Sequence, residues 1–268
     1  MLDKAQITKD IVSTTPFVLS NFRLLRKLDP NDHYWASFTD IEKLKVNGVF
    51  LETAMVVSWI GNTHKPKRIL EIGTRTGGSL IALLSNYQDF RNIEVVSFDM
   101  WREYVSTTYF SKKFTELKNK NNENGEIAGN INVSEKKLKP FFSLIRNLSI
   151  NKVKNNLAYF NIPSDIITFI SGDSKRTVPS YFEKLPNEKF DYILVDGAHD
   201  AETAFIDLQN IADHVAEKGI IVFDDINFMN SDLMGVWVRF KEIQKNNFDF
   251  IEIDCRKGVG LAFRKDIA

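Results

Sequence analysis

The chain has 268 residues, 43% of them hydrophobic, enough to bury one enzyme-sized core. Its 35 basic residues balance 35 acidic ones, which removes net charge as an argument for nucleic acid or an anionic membrane as partner. The lone Cys255 excludes an intramolecular disulfide, no apolar run approaches the roughly 20 residues of a membrane span, and Met1-Leu-Asp-Lys-Ala-Gln6 lacks a signal's apolar core, so a cytoplasmic setting is expected.

Along the chain, residues 7–28 and 43–62 carry apolar side chains at helical spacing, with Pro30 and Pro66 as punctuation. Their load of Phe17, Phe22, Trp35, Phe50 and Trp59 exceeds what solvated helices need. It suits a pocket wall or a homo-oligomer contact, with packing against the body as the alternative for about half of these residues. Strands are expected near 68–73, 94–99, 166–171, 190–195 and 219–224, alternating with helical segments. That order predicts an α/β fold, a doubly wound and mostly parallel sheet with helices on both faces. Residues 248–254 and 258–263 read as two further strands joined by Cys255-Arg-Lys257.

Between the second and third strands lies a polar excursion, 111–139, with Lys118-Asn-Lys-Asn-Asn-Glu-Asn-Gly125 and Lys136-Lys137. Its tip reads as solvated. The flanks differ: Trp101, Tyr104, Tyr109 and Phe110 before it, and Phe141, Phe142 and Leu144 after it, are suited to a lid over the strand ends. The organisation is thus an amino-terminal helical region, 1–64, and an α/β domain, 65–268, with the excursion at about 101–148. There is no internal repeat.

The first chemical signal is Arg68-Ile-Leu-Glu-Ile-Gly-Thr-Arg-Thr-Gly-Gly-Ser-Leu80. Ile69, Leu70 and Ile72 surround a single acid, Glu71, in a short central strand. Gly73, Gly77 and Gly78 then let backbone approach a ligand closely, and the helix opening at Ser79 offers unpaired N–H groups. The spacing, E-x-G-x-x-x-G-G, departs from the G-x-G-x-x-G of dinucleotide-binding turns. An ordinary strand-to-helix connection is the plain alternative.

Asp99 ends the next strand, 21 positions beyond Gly78, near the separation expected of an acid that accepts from ribose hydroxyls. A carboxylate offers two acceptor atoms and no donor, which suits a vicinal diol. Trp101 suits closure on a nucleoside, membership of the lid, or core packing. Further on, Ile166-Ile-Thr-Phe-Ile-Ser-Gly-Asp-Ser174 ends another strand in a polar turn, where Ser174 also fits the role of a helix cap.

The densest signal is acidic. Phe190-Asp-Tyr-Ile-Leu-Val-Asp-Gly-Ala-His-Asp200 ends one strand with Asp196 and sets His199 three residues later. Gly219-Ile-Ile-Val-Phe-Asp-Asp-Ile226 ends its neighbour with Asp224 and Asp225. Adjacent parallel strands would bring three carboxylates into one crevice, where they repel unless a cation intervenes. A hard divalent ion such as Mg²⁺ prefers such oxygens. A strand-end acid and a cap for the following segment are the plain readings of Asp196 and Asp225, and a hydrogen-bonded residue at a helix start is that of His199.

The glycine turn resembles motif I of the Rossmann-like S-adenosylmethionine-dependent methyltransferases. With the aspartates, the chain is similar to the metal-dependent O-methyltransferase group that includes the macrocin and cephalosporin-tailoring enzymes and, more distantly, the catechol and caffeoyl-coenzyme A methyltransferases. The resemblance covers about residues 66–100 and 150–265. It implies a seven-stranded sheet closed by a C-terminal antiparallel hairpin strand. It also implies S-adenosylmethionine as cofactor, held by Glu71, Gly73, Thr74, Gly77, Gly78, Ser79, Asp99 and Asp173, the last at the adenine edge. Asp196, Asp224 and Asp225 correspond to the group's Mg²⁺ ligands. The catechol branch has a Lys base three residues after the first ligand; His199 stands there in this chain, and neutral imidazole is competent for that role. The implied reaction is O-methylation of a small hydroxylated acceptor: a vicinal diol, catechol, sugar or natural-product hydroxyl. A nicotinamide-dependent oxidoreductase would share the turn and Asp99 but not the glycine spacing. A non-catalytic cofactor-binding scaffold would not need the aspartates.

Overall fold

A computed structural model describes residues 3–13, 53–101, 149–227, 232–254 and 257–266. Seven strands form one sheet: β1 (Arg68–Ile72), β2 (Glu94–Asp99), β3 (Ile167–Ser171), β4 (Phe190–Val195), β5 (Val215–Phe223), β6 (Phe248–Ile253) and β7 (Val259–Arg264). Their spatial order is β3-β2-β1-β4-β5-β7-β6. The first five run parallel, whereas β7 enters antiparallel between β5 and β6. The expected α/β architecture with its closing hairpin is therefore present. The chain builds outward from β1 in one direction and from β4 in the other, so the sheet's switch point lies between the carboxyl ends of β1 and β4.

Alternation along the strands divides the core. Ile69, Val95, Tyr192, Leu194, Ile220 and Val222 face one side, together with helices α1 (Lys4–Ser13), α2 (Thr53–Thr63), α3 (Gly78–Leu84) and α4 (Ile150–Tyr159). Leu70, Ile72, Phe98, Ile193, Val195 and Phe223 face the other, beneath α5 (Ser174–Lys184), α6 (Ala201–Ala212) and α7 (Leu233–Gln244). Both faces of the central strands are thus covered, which explains their near-continuous apolar sequence. No helix among the described residues is long and apolar enough to cross a membrane.

The predicted strand boundaries hold to within a residue except at β5. The strand expected at 219–224 begins earlier, at Val215. Glu217 and Lys218 interrupt its apolar pattern, Lys218 sits at φ 60°, and the pairing with β4 shifts register between Phe190 and Tyr192. Such a bulge hides half a strand from a pattern of alternation. Of the helices expected at 7–28 and 43–62, the described parts are α1 and α2. Nearly all of α2 is buried, and Gly61 packs on the Leu83 carbonyl of α3. Trp59 is a core residue in edge contact with His64. Phe17, Phe22, Trp35 and Phe50 lie outside the described residues, as do Cys255 and the excursion beyond Trp101, including Tyr104, Tyr109, Phe110, Phe141, Phe142 and Leu144.

Candidate active site

Two loops meet at the switch point. The first is the glycine turn. Gly73 leaves β1 at φ 97°, and its N–H donates to the Phe98 carbonyl at 2.9 Å. A β-carbon there would collide with the Asp196 backbone, so the turn after β1 and the turn after β4 touch through a residue that only glycine can supply. Glu71 is fully buried; it accepts hydrogen bonds from Thr74 Oγ1 at 3.2 Å and from Ser79 Oγ. Thr74 Oγ1 also lies 2.7 Å from Ser97 Oγ. Burial pushes the Glu71 carboxyl up to about 7 despite those two donors.

Asp99 is turned inward. Its Oδ2 accepts from the Arg75 N–H at 2.6 Å, and burial raises its pKa to about 6. Trp101 Nε1 donates to the Arg75 carbonyl at 2.8 Å and its ring meets Phe169 edge-on. The end of β2 therefore holds the peptide groups on both sides of Arg75, a residue at φ 49°. From the other side, Asn156 Nδ2 on α4 donates to the Thr76 carbonyl at 3.0 Å. Gly77, at φ 87°, has Val153 of α4 where a β-carbon would go, so that glycine answers to helix packing. Gly78 opens α3 directly after it.

At the end of β3 the assignments exchange. Asp173 caps α5 by accepting from the Lys175 N–H at 3.0 Å, and Ser174 is instead a donor to buried Asp207, at 3.0 Å from its Oδ2. The cap expected of Ser174 belongs to Asp173. Asp207 Oδ1 has no hydrogen-bond partner, and burial raises that carboxyl to about 7.

The second loop, after β4, carries Asp196, and the neighbouring loop after β5 brings two more acids beside it. Asp196 follows β4, and its N–H donates to the Ile72 carbonyl at 2.8 Å. Asp224 and Asp225 follow β5, both buried, with Asp225 at φ 58°. Asp225 Oδ2 accepts from His199 Nε2 at 2.8 Å and from Lys257 Nζ at 2.9 Å, while its buried Oδ1 has no hydrogen-bond partner. Asp224 Oδ1 accepts from Thr53 Oγ1 at 2.6 Å and from the Asp225 N–H at 2.8 Å. Burial raises Asp224 to about 7, and burial together with Asp224 and Asp225 raises Asp196 well above the usual carboxylate range. Burial opposes the Lys257 ammonium, yet its bond to Asp225 and the surrounding acids raise its pKa overall.

One ligand atom each from Asp196, His199 and Asp225 lies within 4.8 Å of the others, as in a group able to hold a metal ion. Asp224 stands outside that set of three, with one oxygen directed to Thr53 and to its own chain. The donor chemistry, carboxylate oxygens with an imidazole and one buried oxygen lacking a donor, fits a divalent cation. Thr53, Ser97, Arg75 and Lys257 were not legible as site residues in the sequence. Thr53 and Lys257 lie far along the chain from the acids they touch, and no local spacing announces them.

Residues 70–226 match the model of a methyltransferase domain. The chain belongs to that family. The match spans β1 to the residue after Asp225, so it embraces both loops, and it displaces the nicotinamide-dependent alternative. No curated protein sequence matches the chain significantly. Solved structures share the fold. The chain is similar to the methyltransferase PaMTH1 of Podospora anserina bound to SAH, at 16% identity over 93% of this chain and 88% of that one, TM-score 0.52. An O-methyltransferase of Bacillus cereus in complex with SAH is 16% identical over 91% and 96%, TM-score 0.52. The O-methyltransferase TomG of Streptomyces achromogenes, in complex with SAM, is 14% identical over 88% and 91%, TM-score 0.51.

Proposed function

We propose that this methyltransferase is S-adenosylmethionine-dependent and methylates a hydroxyl of a small acceptor, with the crevice of Asp196, His199, Asp224 and Asp225 as the acceptor site. The observation that carries the reading is the contact of the two loops at Gly73 and Asp196. A donor site at the glycine turn and an acid-lined acceptor site are thereby adjacent, as transfer between two bound molecules needs. The structures of PaMTH1 and TomG, described with SAH and SAM, support the choice of donor.

The donor, when bound, supplies a methyl group already activated by its sulfonium. Glu71, Gly73, Thr74, Gly77, Gly78, Ser79, Asp99 and Asp173 are the residues we assign to it. Within the chain, Glu71 organises Thr74 and Ser79, and Asp99 fixes the turn through Arg75. A divalent ion, with Mg²⁺ as our choice, would be held by Asp196 and Asp225, whose ligand atoms converge, and by Asp224 through the oxygen not engaged by Thr53, and would lower the pKa of an acceptor hydroxyl. His199 is the candidate base. Asp225 Oδ2 lies 2.8 Å from its Nε2 and orients the ring. In this reading the domain runs from 65 to 268, and the amino-terminal region contributes to the acceptor side, where Thr53 reaches Asp224. The amino-terminal region is also our candidate for homo-oligomer contact. We assign the protein to the cytoplasm, with neither nucleic acid nor membrane among its partners.

The test is calorimetry with S-adenosylhomocysteine, followed by transfer of a labelled methyl group to a panel of catechols, sugars and other hydroxylated metabolites. Micromolar binding and labelling that EDTA abolishes, with cofactor binding spared, are expected. Absence of S-adenosylhomocysteine binding would sink the donor assignment, and full transfer in excess EDTA would discard the metal.

A further inference from the structure

The residue that this reaction scheme does not use is Lys257. It comes from the turn between β6 and β7, and that turn is fastened to the exit of β5. The Ile226 N–H donates to the Gly258 carbonyl at 3.1 Å and the Asn227 N–H to the Lys257 carbonyl at 2.6 Å. Gly258 sits at φ 73°, and a β-carbon there would press on Asn227 and Ile226 at 2.6–2.7 Å. The backbone of Lys257 is thus pinned two residues beyond Asp225, and its Nζ lies 2.9 Å from Asp225 Oδ2. That oxygen belongs to a side chain only 4% exposed, whose other oxygen has no donor.

We propose that Lys257 is a resident cation of the aspartate crevice, which partly neutralises it and thereby weakens its hold on a divalent ion. The inference rests on the metal reading above. Three carboxylates in one crevice need positive charge. A tethered ammonium on one of them supplies it and remains close to any ion on the opposite oxygen of the same carboxylate. A unit charge held at about 5 Å from a dication opposes its binding substantially even at high effective dielectric. The site therefore has a weaker affinity for the ion than its three carboxylates alone would give, and it keeps its shape between metal-bound and metal-free states.

The test measures Mn²⁺ binding to the full-length protein by calorimetry and by loss of the free-ion electron paramagnetic resonance signal. Lys257→Met and Lys257→Gln, both uncharged, should bind Mn²⁺ about tenfold more tightly than the parent chain. Lys257→Arg, which keeps the charge, should stay within about threefold of it. Circular dichroism melts identify any variant that fails to fold; the fastening of the turn uses backbone groups, so the neutral variants retain it. Equal or weaker Mn²⁺ binding by both neutral variants overturns the proposal while leaving the metal reading standing. No Mn²⁺ binding by the parent or any variant overturns both.

Discussion

The two loops at the switch point are built on opposite principles. In the glycine turn the polar groups are answered by the protein itself: Glu71 by Thr74 and Ser79, Asp99 by the Arg75 N–H, and the Thr76 carbonyl by Asn156 of α4. In the aspartate crevice Asp225 keeps one buried oxygen without a donor, and Asp196 is charged only against its burial and the repulsion of its neighbours. A closed hydrogen-bond network gives shape, and an open one leaves interaction energy for something that binds. The turn is a preformed mould; the crevice is an electrostatic demand.

That contrast can be broken most forcefully at the seam. Gly73→Ala should destabilise the fold by about 3 kcal/mol or more, because it combines φ 97° with a collision against the Asp196 backbone, and urea denaturation would measure it. A loss under about 1 kcal/mol would mean that the loops separate easily.

Asp225 and Asp99 sharpen the difference between the loops. Asp225→Asn, which tolerates φ 58°, should lower methyl transfer about a hundredfold while leaving stability within about 1 kcal/mol of the parent. Asp99→Ala should do the reverse for the fold: it removes the Arg75 anchor, destabilises by about 1–3 kcal/mol and weakens S-adenosylhomocysteine binding. Steady-state rates and denaturation curves on both variants separate the two outcomes. Equal stability losses would erase the distinction.

The pH dependence follows from buried acids. Asp207 is raised from 3.8 to about 7, so between those values the folded chain keeps a proton that the unfolded chain has lost. Its contribution to stability accordingly falls as pH rises through that window. Asp207→Asn should therefore stabilise by about 1 kcal/mol at pH 8 and hardly at all at pH 4. A gain of the same size at both pH values would contradict the assignment.

The smallest effect concerns Thr53. Thr53→Val should lower the turnover number about fivefold with little change in KM for the methyl donor, and Thr53→Ser should restore it, since only the hydroxyl reaches Asp224. A rise in donor KM instead would move Thr53 out of the acceptor side.

Much of this is legible in the sequence. Glu71, Gly73 and Asp99 stand at or next to strand ends, where a short apolar run gives way to glycine or acid, and such breaks are local. The parallel order followed from alternating elements and the closing strand from the resemblance. What remained hidden was non-local or double-sided. Gly77 reads in the sequence as a ligand-facing glycine, and in the fold its missing side chain also makes room for Val153, a residue 76 positions away. Asp99 looked outward to a ribose, and in the fold it first secures its own loop. Thr53 and Lys257 became site residues only because α2 and the β6–β7 turn converge on the end of β5. No spacing rule spans such distances.

The position of β7 has a consequence for how the protein is made. During translation β5 and β6 leave the ribosome before the strand that must sit between them, and β6 has β7 as its only sheet partner among the described residues. The nascent chain therefore holds an exposed edge on β5 and an unpaired β6 until β7 emerges. Catalytic competence should appear late and abruptly, with chaperone demand concentrated in that interval.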